Sequence, residues 1–307
     1  MTNTDKVPVK MHADELDIGV DLVTRLLSQQ FPKWSNLPIE RVVSSGTNNA
    51  VFKLGDSMAV RLPRIPNAVK HIDTARTWLS KLAPHLPVAV PMPLGLGEPS
   101  EGYPWPWTIY TWLDGVNPKE GQVTELFAKD LAGFIAAMRN IDTTDAPKAR
   151  RGAPLHVQDP RARQALKDLT GIIDTKTATK IWDKCLQAPP WDKEPVWVHG
   201  DLMPANLLAS NNRLSGVCDF EGVGIGDPAC DLIPAWNLFP TTVRGAFKAA
   251  ANVDDATWER GKGWAFSMAL IQLPYYKDTN PVMADNARYV IGEVLATGIY
   301  EVRSRTA

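Results

Sequence analysis

The stretch VWVHGDLMPANLL, residues 196–208, joins three apolar residues to a His-Gly-Asp turn and sets an Asn five positions after the Asp. Val196, Trp197 and Val198 are β-branched or aromatic and follow Pro195, the composition of a short buried strand. His199, Gly200 and Asp201 turn the chain, and Asn206, Leu207 and Leu208 return it to apolar surroundings. Asp201 and Asn206 therefore share a short loop held at both ends by strands, and loops anchored in this way tend to carry function. By itself the stretch reads equally as an Asp-Pro-Asn turn cluster. The residues that follow decide between the two. A further apolar strand, 214–218, ends on Asp219, and NLLASNNRLSGVCDF (206–220) reads as a hairpin turning at Asn211 and Asn212. Such a hairpin brings Asn206 and Asp219 together at one end.

An amide oxygen and a carboxylate are hard oxygen ligands. They suit Mg²⁺, which commonly takes one or two protein groups and completes its shell with substrate phosphates and water. Asp201 is then the free carboxylate beside the metal, placed to orient or deprotonate a hydroxyl. One Asp for the acceptor, with an Asn and a second Asp for metal, is the division of labour in kinase phosphoryl transfer. His-Gly-Asp-Leu-x-x-x-Asn (199–206), Asp-Phe (219–220) and Gly-Asp-Pro-x-x-Asp-Leu (226–232) together resemble the aminoglycoside phosphotransferase family, the small-molecule branch of the protein-kinase-like fold. The resemblance extends more weakly over nearly the whole chain. It implies that Asp201 is the catalytic base and that Asn206 and Asp219 are Mg²⁺ ligands. It also implies that Asp231 is a structural carboxylate bracing the catalytic loop, with His199 packed beneath that loop.

Composition narrows the class. With 307 residues, 44% of them hydrophobic, the chain can form one large or two closely joined domains around a substantial core. A formal net charge of -1 gives no electrostatic case for nucleic acid or an anionic membrane as partner. Cys185, Cys218 and Cys230 form neither a CxxC pair nor an even disulfide set, which fits a reducing compartment. Cys218 and Cys230 read as small buried hydrophobes. The polar start MTNTDKVPVKMHADELD has no apolar segment of the signal-peptide kind, and WAFSMALIQLPYY (264–276) is too short to span a bilayer. A soluble cytoplasmic protein is expected, its oligomeric state open.

Upstream of the motifs, Val20, Val23 and Leu27 recur at helical spacing before Pro32 ends the segment. Three strand-like runs follow: IERVVS (39–44), AVFKLG (50–55) and SMAVRLP (57–63). Between the first two lies SSGTNN (44–49), whose backbone N–H groups and hydroxyls suit a phosphate cradle. By the family resemblance this is the nucleotide loop, with Thr47 the phosphate-contacting hydroxyl. Arg61 then occupies the place of the strand lysine that meets the α- and β-phosphates, as a planar fork rather than a compact ammonium. The next segment sets Ile72, Ala75, Leu79 and Leu82 on one helix face. At position 75 the family pattern has a Glu that holds the strand cation; here it is Ala75. Asp73 is a poor substitute, because two residues along a helix is about 200° of rotation. Arg61 is therefore expected to lack its partner, at a cost of about 1–3 kcal/mol in nucleotide binding or ordering. WTIYTWLDGVNP (107–118) reads as a last strand running into a turn. By resemblance it contains the hinge, residues 111–117, where the Thr111 carbonyl and the Leu113 amide would bond adenine. EGYPWPW (101–107) reads as a rigid Pro-aromatic turn or as a loop over the nucleotide.

Beyond Gly121 the pattern turns helical. Val123, Leu126, Phe127, Leu131, Phe134, Ile135 and Met138 form an apolar stripe. One or two helices are expected over 159–186 and three more over 241–251, 255–276 and 280–302. The expected fold is α+β, two-lobed and protein-kinase-like: a strand-rich N-lobe over 1–110, the hinge, and a mainly helical C-lobe over 118–307. The expected activity is Mg²⁺-dependent transfer of the γ-phosphate of ATP or GTP to a hydroxyl of a small molecule, an aminoglycoside-type antibiotic first. A macrolide or a small metabolite (sugar, amino alcohol or homoserine-like) is the alternative acceptor, and a nucleotide-binding pseudoenzyme is the reading from a different class. A polycationic acceptor needs a carboxylate-lined pocket, for which Asp201, Glu221, Asp278 and Asp285 are candidates. Trp112, Trp236, Trp264, Tyr275 and Tyr276 would wall an apolar acceptor site unless they belong to the core. Glu221 stands where protein kinases have Gly. It reads as a solvated loop residue or as a contact to a cationic acceptor or the metal's waters.

Overall fold

The computed structural model describes residues 15–42, 48–70 and 72–304. Five strands form one antiparallel sheet: β1 (Ile39–Arg41), β2 (Asn49–Leu54), β3 (Met58–Pro63), β4 (Pro93–Gly97) and β5 (Trp107–Thr111), in the order β1-β2-β3-β5-β4. Along β2 and β3 buried residues alternate with half-buried ones, the period of two that a strand imposes on its side chains. Ala50, Phe52, Leu54, Val60, Leu62 and Ile109 form a core with Val23, Leu26 and Leu27 of helix α1 (Val20–Gln30). Val51 and Arg61 face each other in the β2–β3 register and belong to the other side of the sheet. The 101–107 stretch is a turn packed on that first core: Tyr103 is buried, and its hydroxyl donates to the Pro63 carbonyl at 2.7 Å.

After the single-turn α2 (Pro66–Val69), helix α3 (Ile72–Leu82) buries Ile72, Ala75, Leu79 and Leu82, as their spacing predicts. Ala75, Leu79 and Leu82 join the larger core of the second lobe rather than that of the sheet. That lobe is helical: α4 (Glu125–Arg139), α5 (Asp159–Asp168), α6 (Thr175–Leu186), the short α7 (Pro234–Asn237), α8 (Thr241–Ala251), α9 (Asp255–Tyr276) and α10 (Pro281–Ser304). Helix α9 is buried over most of its length, as a helix at the centre of a bundle must be, and it packs on α5, α6 and α10. Trp236 and Trp264 are core residues, and all three cysteines are free, with Cys185 and Cys230 buried. None of the described helices is long and apolar enough to cross a membrane.

Two small antiparallel pairs interrupt the helices. β6 (Val196–Val198) pairs with β9 (Gly224–Gly226), and β7 (Leu207–Ser210) pairs with β8 (Arg213–Val217). Asn211 and Asn212 turn the second pair at φ 51° and 60°, the left-handed pair a two-residue hairpin turn requires. Against β9 runs the linker between α4 and α5. A Cβ at Gly226 would sit 2.6 Å from the Gly152 carbonyl oxygen, so only glycine lets the two backbones touch.

Candidate active site

Strand β6 delivers the chain into a fully buried corner. His199 has its Nε2 2.9 Å from the Cys218 carbonyl oxygen and its ring edge-on to Phe220. Asp231, also buried, accepts from the His199 N–H at 2.8 Å and the Gly200 N–H at 2.7 Å. Gly200 bends at φ +75°, a region that favours glycine. Burial pushes the Asp231 carboxyl up, against the pull of His199 and of the two N–H groups. One carboxylate with two backbone donors thus fixes the direction in which the next residue leaves.

That next residue is Asp201, with its side chain part-exposed. Asn206 Nδ2 donates to the Asp201 carbonyl at 2.8 Å, which commits the amide nitrogen and leaves the oxygen as a possible ligand atom. The Cys218 N–H donates to the Asn206 carbonyl at 2.8 Å, extending the β7–β8 hairpin by one rung. Asn206 and Asp219 consequently lie at one end of it. Asn117 Nδ2 donates to the carbonyls of Ala205 at 3.0 Å and Leu207 at 2.9 Å, tying this loop to the segment after β5. Asp219 itself is left-handed, φ 64° and ψ 67°, uncommon for a residue with a Cβ.

Arg61 crosses from the sheet to this end of the hairpin. Its Nη2 lies 3.0 Å from Asp219 Oδ1 and 3.1 Å from Glu221 Oε1, and Asn49 Nδ2 donates to Glu221 Oε1 at 3.3 Å. Two expectations are corrected. Arg61 does not lack a carboxylate partner; the partner comes from the segment after Asp219 instead of from α3. Nor is Glu221 a solvated loop residue, since it is 6% exposed. Burial opposes the charge on Asp219, yet Arg61 outweighs it and holds the carboxyl below its usual range. Glu221 goes the other way: burial pushes its carboxyl up, Arg61 only partly offsets this, and the charge of Asp219 adds to it.

Arg151 was not legible as a site residue. Its Nη1 lies 2.7 Å from Asp201 Oδ1 and 2.9 Å from the Gly200 carbonyl oxygen. The contact between Gly152 and Gly226 sets it there, and the sequence offers only an Arg-Arg-Gly run, 150–152, with no fixed spacing to the His-Gly-Asp motif.

Of the other expected site residues, Thr47 lies outside the described residues. Thr111 is held to Met92 by two bonds of 2.9 Å, one donated by its own N–H and one accepted by its Oγ1. A Cβ at Gly216 would lie 3.1 Å from Leu113 Cδ1, so the Leu113 side chain rests on β8. Among the candidate acceptor carboxylates, Asp278 is exposed, and Asp285 is exposed and paired with Arg288. Tyr275 is exposed too. Beside Met203 a cavity of about 10 Å³, room for a single water, is lined by Ile233, Met268, Val290, Asn237 and Asn286. Both asparagines are at least nine-tenths buried, and the Oδ1 of each has no partner among the described residues. For a metal, the described residues contain no cluster of three or more His, Cys, Asp or Glu. Asn206 and Asp219 are the sparse oxygen set that fits an ion completing its shell on phosphates.

The family described as "Phosphotransferase enzyme family" matches residues 40–264. No curated protein matches the chain by sequence. Among solved structures, the GDP and kanamycin complex of APH(2'')-IIIa is 18% identical, with TM-score 0.71, covering 90% of this chain and 98% of that one. The ADP-bound aminoglycoside phosphotransferase APH(2'')-Ib is 14% identical, with TM-score 0.59 and coverage of 90% and 98%. The macrolide 2'-phosphotransferase MphH from Brachybacterium faecium is 18% identical, with TM-score 0.59 and coverage of 88% and 97%. At such identities the likeness is one of fold.

Proposed function

Because the chain belongs to the phosphotransferase enzyme family, we propose that it moves the γ-phosphate of ATP or GTP, with Mg²⁺, to a hydroxyl of a small molecule. The observation that carries this reading is the convergence of Asp201, Asn206 and Asp219 on one loop and hairpin end, with Arg61 reaching across to Asp219 at 3.0 Å. In it Asp201 receives or orients the acceptor's hydroxyl proton, and Arg61 and Thr47 hold phosphates. The Thr111 carbonyl and Leu113 amide face the base, within a hinge at 111–117. Mg²⁺, held by Asn206 and Asp219, supplies charge neutralisation on the transferred phosphoryl group. The protein's share is placement and electrostatics, which carry most of the rate in this chemistry.

For the acceptor, the geometry favours a neutral or largely apolar hydroxyl compound, of the macrolide or metabolite kind, over a polycationic aminoglycoside. Asp201 already carries Arg151, Glu221 is buried on Arg61, and Asp278 and Asp285 are exposed, Asp285 on Arg288, so none of these four stands as a free, enclosed carboxylate. Release of nucleoside diphosphate from ATP or GTP across aminoglycosides, macrolides and neutral hydroxyl metabolites tests both levels. Turnover with macrolides or neutral metabolites is the expected result. Turnover confined to aminoglycosides would overturn the acceptor reading and keep the chemistry; tight nucleotide binding without turnover on any acceptor would favour a pseudoenzyme.

A further inference from the structure

Position 75 on α3, where the family pattern has the Glu that anchors the strand cation, is occupied by Ala75, 1% exposed and packed in the same core as Phe220. Two residues after Asp219, where kinases have Gly, stands Glu221. It is almost fully buried, with its Oε1 3.1 Å from Arg61 Nη2 and 3.3 Å from Asn49 Nδ2. A carboxylate is missing from one side of Arg61 and present on the other. We propose that Glu221 is the positioning residue of Arg61, replacing the helix carboxylate and moving the anchor of the phosphate-binding cation from α3 to the loop that follows Asp219.

The reach of the two elements makes the exchange physical. Helix α3 packs directly on the turn Phe220–Gly222, so a carboxylate from either element approaches the same guanidinium. Asn49, the last residue of the 44–49 segment and the first of β2, holds the same Glu221 oxygen, which ties strand, loop and cation into one unit. Arg61 Nη2 is shared between Asp219 and Glu221. When Asp219 serves as a metal ligand, Glu221 keeps the guanidinium in place; without it, Arg61 stays on Asp219 and competes with the metal. In kinases the Lys–Glu pair is broken or made by movement of the helix. Here the carboxylate is carried by the turn after Asp219 and not by α3 itself.

The inference rests on the phosphotransferase reading, and nucleotide binding measured without any acceptor tests it. Titration calorimetry with Mg-ATP and Mg-GTP would compare the full wild-type chain with Glu221→Gln, Arg61→Ala, their double variant, Glu221→Gly, and Glu221→Gly combined with Ala75→Glu. Loss of the anchor is expected to weaken binding by about 10–150-fold, the span of a charge-assisted hydrogen bond. Glu221→Gln should add nothing once Arg61 is Ala, and Ala75→Glu should restore affinity to Glu221→Gly by returning the carboxylate to the helix. An unchanged affinity in Glu221→Gln, or an equal loss with and without Arg61, would overturn the proposal, the second by assigning Glu221 a role independent of Arg61. The isosteric Gln variant keeps the test open should the Gly variants fold poorly. A wild-type chain that binds neither nucleotide overturns the phosphotransferase reading and this inference with it.

Discussion

Asp201 sits between two constraints: a backbone direction fixed by Asp231 and an ion pair with Arg151. Arg151 also holds the Gly200 carbonyl, so its loss frees both the carboxylate and the bend beneath it. Arg151→Ala is therefore expected to lower kcat by about 10–100-fold, the scale of a misplaced reacting group, while leaving nucleotide affinity unchanged. Steady-state kinetics beside equilibrium nucleotide binding would show this; a loss confined to binding would contradict it. At this scale the sequence is uneven. Asp201, Asn206 and Asp219 stand out because one loop and one hairpin, read locally, bring them together. That Arg61 pairs with Asp219 and Glu221, and Asp201 with Arg151, does not, because these partners lie 158, 160 and 50 positions apart along the chain. No spacing rule reaches across a cleft, and the missing Glu at position 75 therefore read as a defect.

Helix α9 shows how far local signals carry. Its whole span, 255–276, is legible as a helix, and Asp254 caps it by accepting from the Thr257 N–H at 2.6 Å. That bond holds the Asp254 carboxyl below its ordinary range. A depressed folded-state pKa means that the contribution is present above the unfolded value and is lost as pH falls through the folded one. Asp254→Ala is expected to cost about 1 kcal/mol at neutral pH, and the gap from wild type should close in acid, below the usual carboxylate range. Denaturant unfolding of both chains at pH 7 and at acid pH would check it; a gap independent of pH would contradict the cap's role. The linker carrying Arg151 is the opposite case. It has no apolar period, and its path is dictated by contact with β9 through Gly226 and Gly152, which only the folded chain reveals. The 101–107 stretch is similar: its burial on the sheet through Tyr103, rather than its Pro-aromatic composition, decides that it is a turn.

At the scale of the molecule, the two-lobed plan was legible because most strand-like runs cluster before residue 112 while helical periods dominate after residue 121, and because motifs read as catalytic fall on the helical side. Which lobe α3 serves was not. Its apolar face joins the C-lobe core, so the N-lobe sheet meets the C-lobe through α3 and through Arg61. A ligand bound between Arg61 and Asp219 should then stabilise both lobes together. At about 100 times its Kd, Mg-nucleotide is expected to add about 2.7 kcal/mol, seen as a rise in Tm of several degrees. The rise should shrink when a chelator removes the metal, and an equal rise with chelator would contradict metal-assisted binding at this cleft.

The division of roles between the two carboxylates is tested most directly by measuring Mg-nucleotide affinity and turnover side by side in Asp201→Ala and Asp219→Ala. Asp201→Ala should bind nucleotide as the wild type does and turn nothing over, whereas Asp219→Ala should lose both. Equal loss of nucleotide binding in the two variants, or turnover surviving in Asp201→Ala, would contradict it.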